Sequence, residues 1–250
     1  MKRRSRWGPL ARVTPMPLTH VVPIRHQESA QVIIRRRRAV GGTAVVGTAL
    51  LGASLSTRPG SKQFYVSTAT VAGVWAAGGL LSGPLHLGWI QTRDQRLRRP
   101  VLTPLLTGLG AFGFFYGVAH VARRIPVLDE AISRVLVFAD EGDDRLVLLT
   151  TLANGLGEEI FFRGALYAAL GEQHPVAASS AIYALSTTTT RNPALVLAAT
   201  VMGSLFGLQR RASGGLQAPI ITHLTWSTLM LRFLPPMFRR ATTDPDPELR

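Results

Sequence analysis

The sequence predicts an all-α fold, a polytopic transmembrane helical bundle of about seven spans. Three observations predict it. Apolar residues make up 46% of the 250-residue chain and charged residues only 17%. The apolar residues fall in long charge-free runs, and short arginine-rich joints separate those runs, the layout of a multi-pass membrane protein. The chain has no cysteine, which excludes a disulfide framework, thiolate metal ligands and a cysteine nucleophile.

A net charge of +14 raises the question of nucleic-acid binding, since basic patches hold phosphate backbones. The positive-inside rule accounts for the charge better. Ten of the basic residues precede Ala39, among them Arg35, Arg36, Arg37 and Arg38, and four more (Arg93, Arg96, Arg98, Arg99) share one short joint. No nucleic-acid partner is therefore expected. Membrane lipid is, with an attraction of about 1 kcal/mol per basic residue near an anionic surface.

Residues 1–38 carry Pro9, Pro15, Pro17 and Pro23 and no helical apolar period, which predicts a basic, disordered cytoplasmic tail. It is too long for the n-region of a signal peptide, so no cleavage is expected. The bundle is expected over 39–238, with apolar segments at 39–56, 64–90, 101–122, 146–170, 175–190, 193–209 and 216–238, followed by a C-terminal tail at 239–250. A spanning helix needs roughly 17–25 residues, so the fifth and sixth segments are short. The fifth also ends in Ser186 and four threonines, which suits a helix buried against partners or lining a wet cavity. Gly83-Pro84 predicts a kink in the second helix. With the N-terminus cytoplasmic in a cell membrane, parity places 93–99 and Arg210-Arg211 inside and the acidic joint 123–145 outside.

Within the fourth segment stand Glu158, Glu159 and Arg163. A carboxylate at the bilayer centre costs roughly 2.5–3.5 kcal/mol on insertion scales, so an intramembrane acidic pair predicts a functional site. Glu159 and Arg163 are four apart and can pair on one helix face. Glu158 is rotated by about 100° and addresses a different partner; Asn154, four residues earlier, is expected to hydrogen-bond it. Gly155 and Gly157 let a backbone or substrate approach. A packing role alone would explain Glu159 and Arg163 but leave Glu158 without a partner.

At 1.5 Å per residue, Glu158 lies about 18 Å into the fourth span and about 12 Å from the cytoplasmic side. His223 lies about 10 Å from that same side in the last span. Glutamates and a histidine at one level can hold a divalent cation or activate a water. Carboxylates inside a membrane protein can also serve a transporter, but no pair of interrupted helices in corresponding halves favours that.

The run Glu158-Glu159-Ile-Phe-Phe-Arg163-Gly resembles the EExxxR signature of the CPBP family, intramembrane endopeptidases that include CAAX prenyl proteases and bacteriocin-processing or self-immunity proteins. The stretch 203–223 is similar to the family's third motif region, with a small-residue helix, a glycine-containing turn, Ala218-Pro219 and then His223. The resemblance covers about 145–235 and implies a metalloendopeptidase cleaving a membrane-associated polypeptide with glutamate-activated water. It implies Glu158 as general base and metal ligand, and Glu159 held by Arg163. It implies His223 as metal ligand or electrophile, Ser227 as oxyanion donor, and a divalent metal, Zn, as cofactor. Two positions depart from the pattern. The second motif, an aromatic residue followed four positions later by histidine, is matched by Tyr183 with Thr187 at the histidine position. Ser227 stands where the third motif has Asn or Asp. A hydroxyl is a much weaker zinc ligand than imidazole. The alternative is therefore a catalytically impaired member acting as a membrane scaffold or self-immunity protein. His86, near the cytoplasmic end of the second span, and His120, near the outer end of the third, are the two candidates for the missing imidazole, and His120 falls on the wrong side by parity.

Overall fold

Four helices begin at side chains that accept hydrogen bonds from the free N–H groups of a first turn. Ser29 accepts from Val32 and starts α1 (Ala30–Ser54); Ser61 accepts from Phe64 and starts α2 (Lys62–Leu81). Asp143 accepts from Arg145 and Leu146 at the head of α5 (Asp144–Glu158). Asn192 accepts from Ala194 and Leu195 at the head of α8 (Pro193–Ser213). Between them run α3 (Leu102–Ala122), α4 (Pro126–Asp140), α6 (Tyr167–Leu170) and α7 (Pro175–Thr187); α9 (Gln217–Phe233) and α10 (Pro235–Phe238) follow. A small antiparallel hairpin, β1 (Ile90–Gln91) with β2 (Leu97–Arg98), pairs Ile90 with Arg98. The computed structural model describes residues 8–12, 15, 16, 18–24 and 28–238.

The architecture is an all-α, membrane-like bundle. Seven spans were expected, but three of the described helices, α2, α3 and α8, are long and apolar enough to cross a membrane. The shortfall has physical causes. α7 has 13 residues, about 20 Å at 1.5 Å per residue, well under a hydrocarbon core of about 30 Å. α1 carries Arg35 to Arg38 within its first half. The acidic joint 123–145 contains a helix, α4, not foreseen in the sequence.

The first helix begins at Ala30, not near residue 39, so Arg35 to Arg38 belong to it. Arg36 is fully buried; it pairs with Glu28 and donates to Ser82 Oγ (3.0 Å) and the Pro84 carbonyl (2.9 Å). Upstream, Met16 N–H donates to the Gln91 carbonyl and Val22 N–H to the Ala212 carbonyl, both at 3.0 Å. Residues 1–7, 13, 14, 17 and 25–27 of the expected N-terminal tail, and the C-terminal tail 239–250, lie outside the described residues.

Gly83-Pro84 does not kink α2; the helix has already ended at Leu81. The following loop is clamped to the turn between α8 and α9. Trp89 N–H donates to the Ser213 carbonyl (2.8 Å), Leu216 N–H to His86 O and Gln217 N–H to Leu87 O (both 2.9 Å). Gly88 permits this approach: its φ is +83°, and a Cβ there would lie 2.6 Å from Gly215 N and Ser213 O.

The core sits where α1, α2, α7 and α8 surround the chain leaving α5. Trp75 is fully buried, with ring centroids 4.6 Å from Phe161 and 5.0 Å from Phe162. Phe162 in turn lies 4.7 Å from Tyr183. This aromatic cluster forms the floor on which the acidic pair rests.

Candidate active site

Helix α5 continues without a break into a π-helical segment, Glu159–Leu166, before returning to α geometry in α6. Such wide turns inside α-helices are rare and concentrate at functional sites. Phe161, Phe162, Arg163, Gly164, Ala165 and Leu166 are all buried, as is Glu159. Packing therefore surrounds this segment, which is bordered by α1, α2, α7, α8 and α9.

The widened turn holds Glu159 and Arg163, both 0% exposed, against each other, with Arg163 Nη1 3.4 Å from Glu159 Oε1. The same oxygen lies 2.8 Å from Nδ1 of His223 on α9. An ionised carboxylate only accepts, so Nδ1 carries the hydrogen in this pair and the tautomer is set by the glutamate. Arg163 is further enclosed by aromatic faces, its guanidinium carbon 4.5 Å from the Tyr183 ring centroid and 5.1 Å from that of Phe206. Such cation–π contacts suit a buried guanidinium. Phe206 also stacks on His223 at 4.7 Å with an interplanar angle of 21°. The imidazole is thus fixed by a carboxylate at one nitrogen and by an aromatic face.

Glu158 behaves differently. It is half-buried and lines a cavity of about 430 Å³ together with Gly155, Tyr183, Thr187, His223 and Ser227. The Tyr183 hydroxyl donates to Glu158 Oε2 at 2.6 Å. Asn154 does not bond Glu158, contrary to expectation: its amide donates to the Thr150 carbonyl (3.0 Å) and to the Thr68 carbonyl across the helix interface (3.3 Å). The two glycines divide the expected duties. Gly157 backs onto α2, where a Cβ would lie 2.7 Å from the Ala72 carbonyl, and Gly155 faces the imidazole, where a Cβ would lie 3.5 Å from His223 Nε2.

Thr187 Oγ1 donates to the Tyr183 carbonyl at 2.9 Å, within its own helix. Of the other histidines weighed, His120 meets Tyr116 edge-on at 5.2 Å, and neither it nor His86 lines the cavity.

Most of the remaining wall is apolar, with Phe115 of α3, Leu128, Ile132, Leu136 and Phe138 of α4, Leu195 of α8, and Leu234 just past α9. A zinc site that works on substrate takes three protein ligands. Among the described residues, no group of three or more His, Asp or Glu side chains is arranged to hold a metal ion. Glu158 and His223 Nε2 make at most a pair, with Thr187 where another imidazole would be required. The donor set does not fit a resident zinc.

A family model, type II CAAX prenyl endopeptidase Rce1-like, matches residues 145–229. That stretch, 85 of the 250 residues, is similar to the CAAX protease family. The matched region holds the acidic pair, Arg163, Tyr183, Thr187, His223 and Ser227, so the family likeness and the cavity's polar wall coincide. No individual characterised protein matches the chain, and no solved structure does.

Tyr183 and Phe206 are the site residues that sequence reasoning did not assign. Tyr183 had a signal, since it fills the aromatic position of the second motif. Phe206 had none beyond its place in a small-residue helix.

Proposed function

We propose that the protein is an intramembrane endopeptidase that hydrolyses a peptide bond of a membrane-associated polypeptide with water activated by Glu158. The observation that supports this most is the common cavity of Glu158, His223, Thr187 and Ser227, backed by the sealed Glu159–Arg163 pair. Glu158 takes a proton from water as the resulting hydroxide oxygen bonds to the peptide carbonyl carbon. The tetrahedral oxyanion accepts a hydrogen bond from Ser227 Oγ–H and, when His223 carries a second proton, from its Nε2–H. Collapse breaks the C–N bond, and Glu158 returns its proton to the departing amine. Glu159 and Arg163 act from behind, holding His223 in one tautomer and orientation.

The apolar wall suits a substrate that arrives from lipid. The orientation that goes with this reading has a cytoplasmic N-terminus in the cell membrane, with the site nearer the cytoplasmic face. A prenylated substrate is suggested by the family description alone, and no residue of the cavity selects it. Because the donor set falls short of three ligands, no step above runs through a metal.

A second reading has one observation behind it. Thr187 stands at the second-motif histidine position and spends its proton inside α7, which suits a non-catalytic member serving as scaffold or immunity protein. Purified wild-type protein and Glu158→Ala, incubated with membrane-peptide libraries with and without chelator, separate the two. Cleavage by wild type alone supports the protease, and the chelator arm reports whether a divalent metal assists. No cleavage by wild type, with the cellular phenotype intact in Glu158→Ala, rejects it.

A further inference from the structure

Among the described residues, Tyr183 is the one polar side chain seen to bond Glu158 directly, and the proposed reaction gives it no work. We propose that Tyr183 is a positioning residue whose phenol anchors Glu158 for the reaction, in place of the second-motif histidine that this chain lacks. The proposal rests on the protease reading and goes beyond it, assigning a role to a residue outside the acidic pair.

Three observations carry it. The 2.6 Å separation between Tyr183 Oη and Glu158 Oε2 falls in the short range of hydroxyl–carboxylate bonds, roughly 2.5–2.7 Å, where the charged acceptor strengthens the bond. The donor is itself held: its ring lies 4.7 Å from Phe162 and 4.5 Å from the Arg163 guanidinium. Thr187 cannot substitute, because its hydroxyl proton is directed to the Tyr183 carbonyl. Residues 183 and 187 are one helical turn apart and share a face, and both line the cavity. The anchoring group has thus moved from the second position of the motif to the first.

The chemical consequence concerns orientation. A glutamate side chain at a half-open cavity wall has several rotamers, and only some face a bound water. Anchoring Oε2 fixes the carboxylate and leaves Oε1 for the proton transfer. Effective proximity of this kind contributes to rate without contact between the anchor and the substrate.

The ring of Tyr183 also belongs to the aromatic core, so the test must remove the oxygen alone. Tyr183→Phe does this and keeps the packing. Two measurements are made on the full chain in detergent or nanodiscs. The first is the infrared carboxylate band of Glu158, assigned by its loss in Glu158→Gln; it is expected to shift in Tyr183→Phe. The second is the kinetic split: kcat is expected to fall about 10- to 100-fold, the value of one hydrogen bond to a charged group, with KM within about twofold. An unmoved band together with an unchanged kcat overturns the proposal. If wild type cleaves nothing, the protease reading fails by itself, and the infrared band alone then decides whether Tyr183 holds Glu158.

Discussion

Nδ1 of His223 lies 2.8 Å from Oε1 of Glu159, although the two residues are 64 positions apart in the chain. The contact joins the acidic motif to the last long helix and makes Glu159, Arg163 and His223 one buried unit. Glu158, next in sequence to Glu159, stands outside that unit and faces the cavity. Adjacent glutamates thus have separate environments, one sealed and one accessible.

The sealed unit should be intolerant of losing one charge. Removing one partner of a buried ion pair leaves the other uncompensated, at a cost of about 3–5 kcal/mol. Glu159→Gln and Arg163→Met are each expected to lower the thermal unfolding midpoint in detergent. The double variant Glu159→Gln/Arg163→Met is expected to lose less than the sum of the two.

Thr187→His adds an imidazole to the wall that already carries Glu158 and His223. It should raise affinity for Zn²⁺, because imidazole is a far better ligand than a hydroxyl. Titration calorimetry of the variant against wild type reads this directly, and equal affinities would place position 187 out of reach of the other donors.

Asn192 serves two helices at once. Its Oδ1 caps α8, and its Nδ2 donates to the Ala131 carbonyl of α4 at 2.7 Å in a buried setting. Asn192→Ala is expected to cost about 2–3 kcal/mol, the sum of a lost cap and a buried carbonyl left unpaired. Asn192→Ser keeps a capping oxygen and loses the amide donor, so its unfolding midpoint should fall between those of Asn192→Ala and wild type.

Gly88→Ala tests the clamp between the loop after α2 and the turn before α9. The site combines φ of +83° with backbone atoms 2.6 Å from a would-be Cβ, so the loop must move. The expected outcome is a reduced yield of folded protein by size-exclusion chromatography, with Gly41→Ala, where a Cβ meets nothing within 4 Å, as the neutral control.

Much of the site was legible in the sequence because charge in an apolar run is conspicuous. The Glu159–Arg163 pairing follows from a spacing of four, and the shared level of Glu158 and His223 follows from residue rise alone. Tyr183 was visible as a motif aromatic, but its bond to Glu158 spans two helices, which no local pattern encodes. The π-helical segment was hidden because it continues α5 without a break. α4 was hidden for another reason: Asp129, Glu130 and Asp140 gave the joint 123–145 a polar look, while Leu128, Ile132, Val135 and Leu136 line the cavity. The expected seven spans exceed the three found because run length overstates helix length, as where α7 ends at Thr187 after 13 residues.

The central claim is that Glu158 activates the attacking water. It is tested most directly by the single-turnover cleavage rate of Glu158→Gln, which preserves size and removes the base. With unfolding midpoints matched to wild type, the rate should fall by about 10²–10⁴-fold, the worth of a general base. A Glu158→Gln rate within about threefold of wild type would contradict the account.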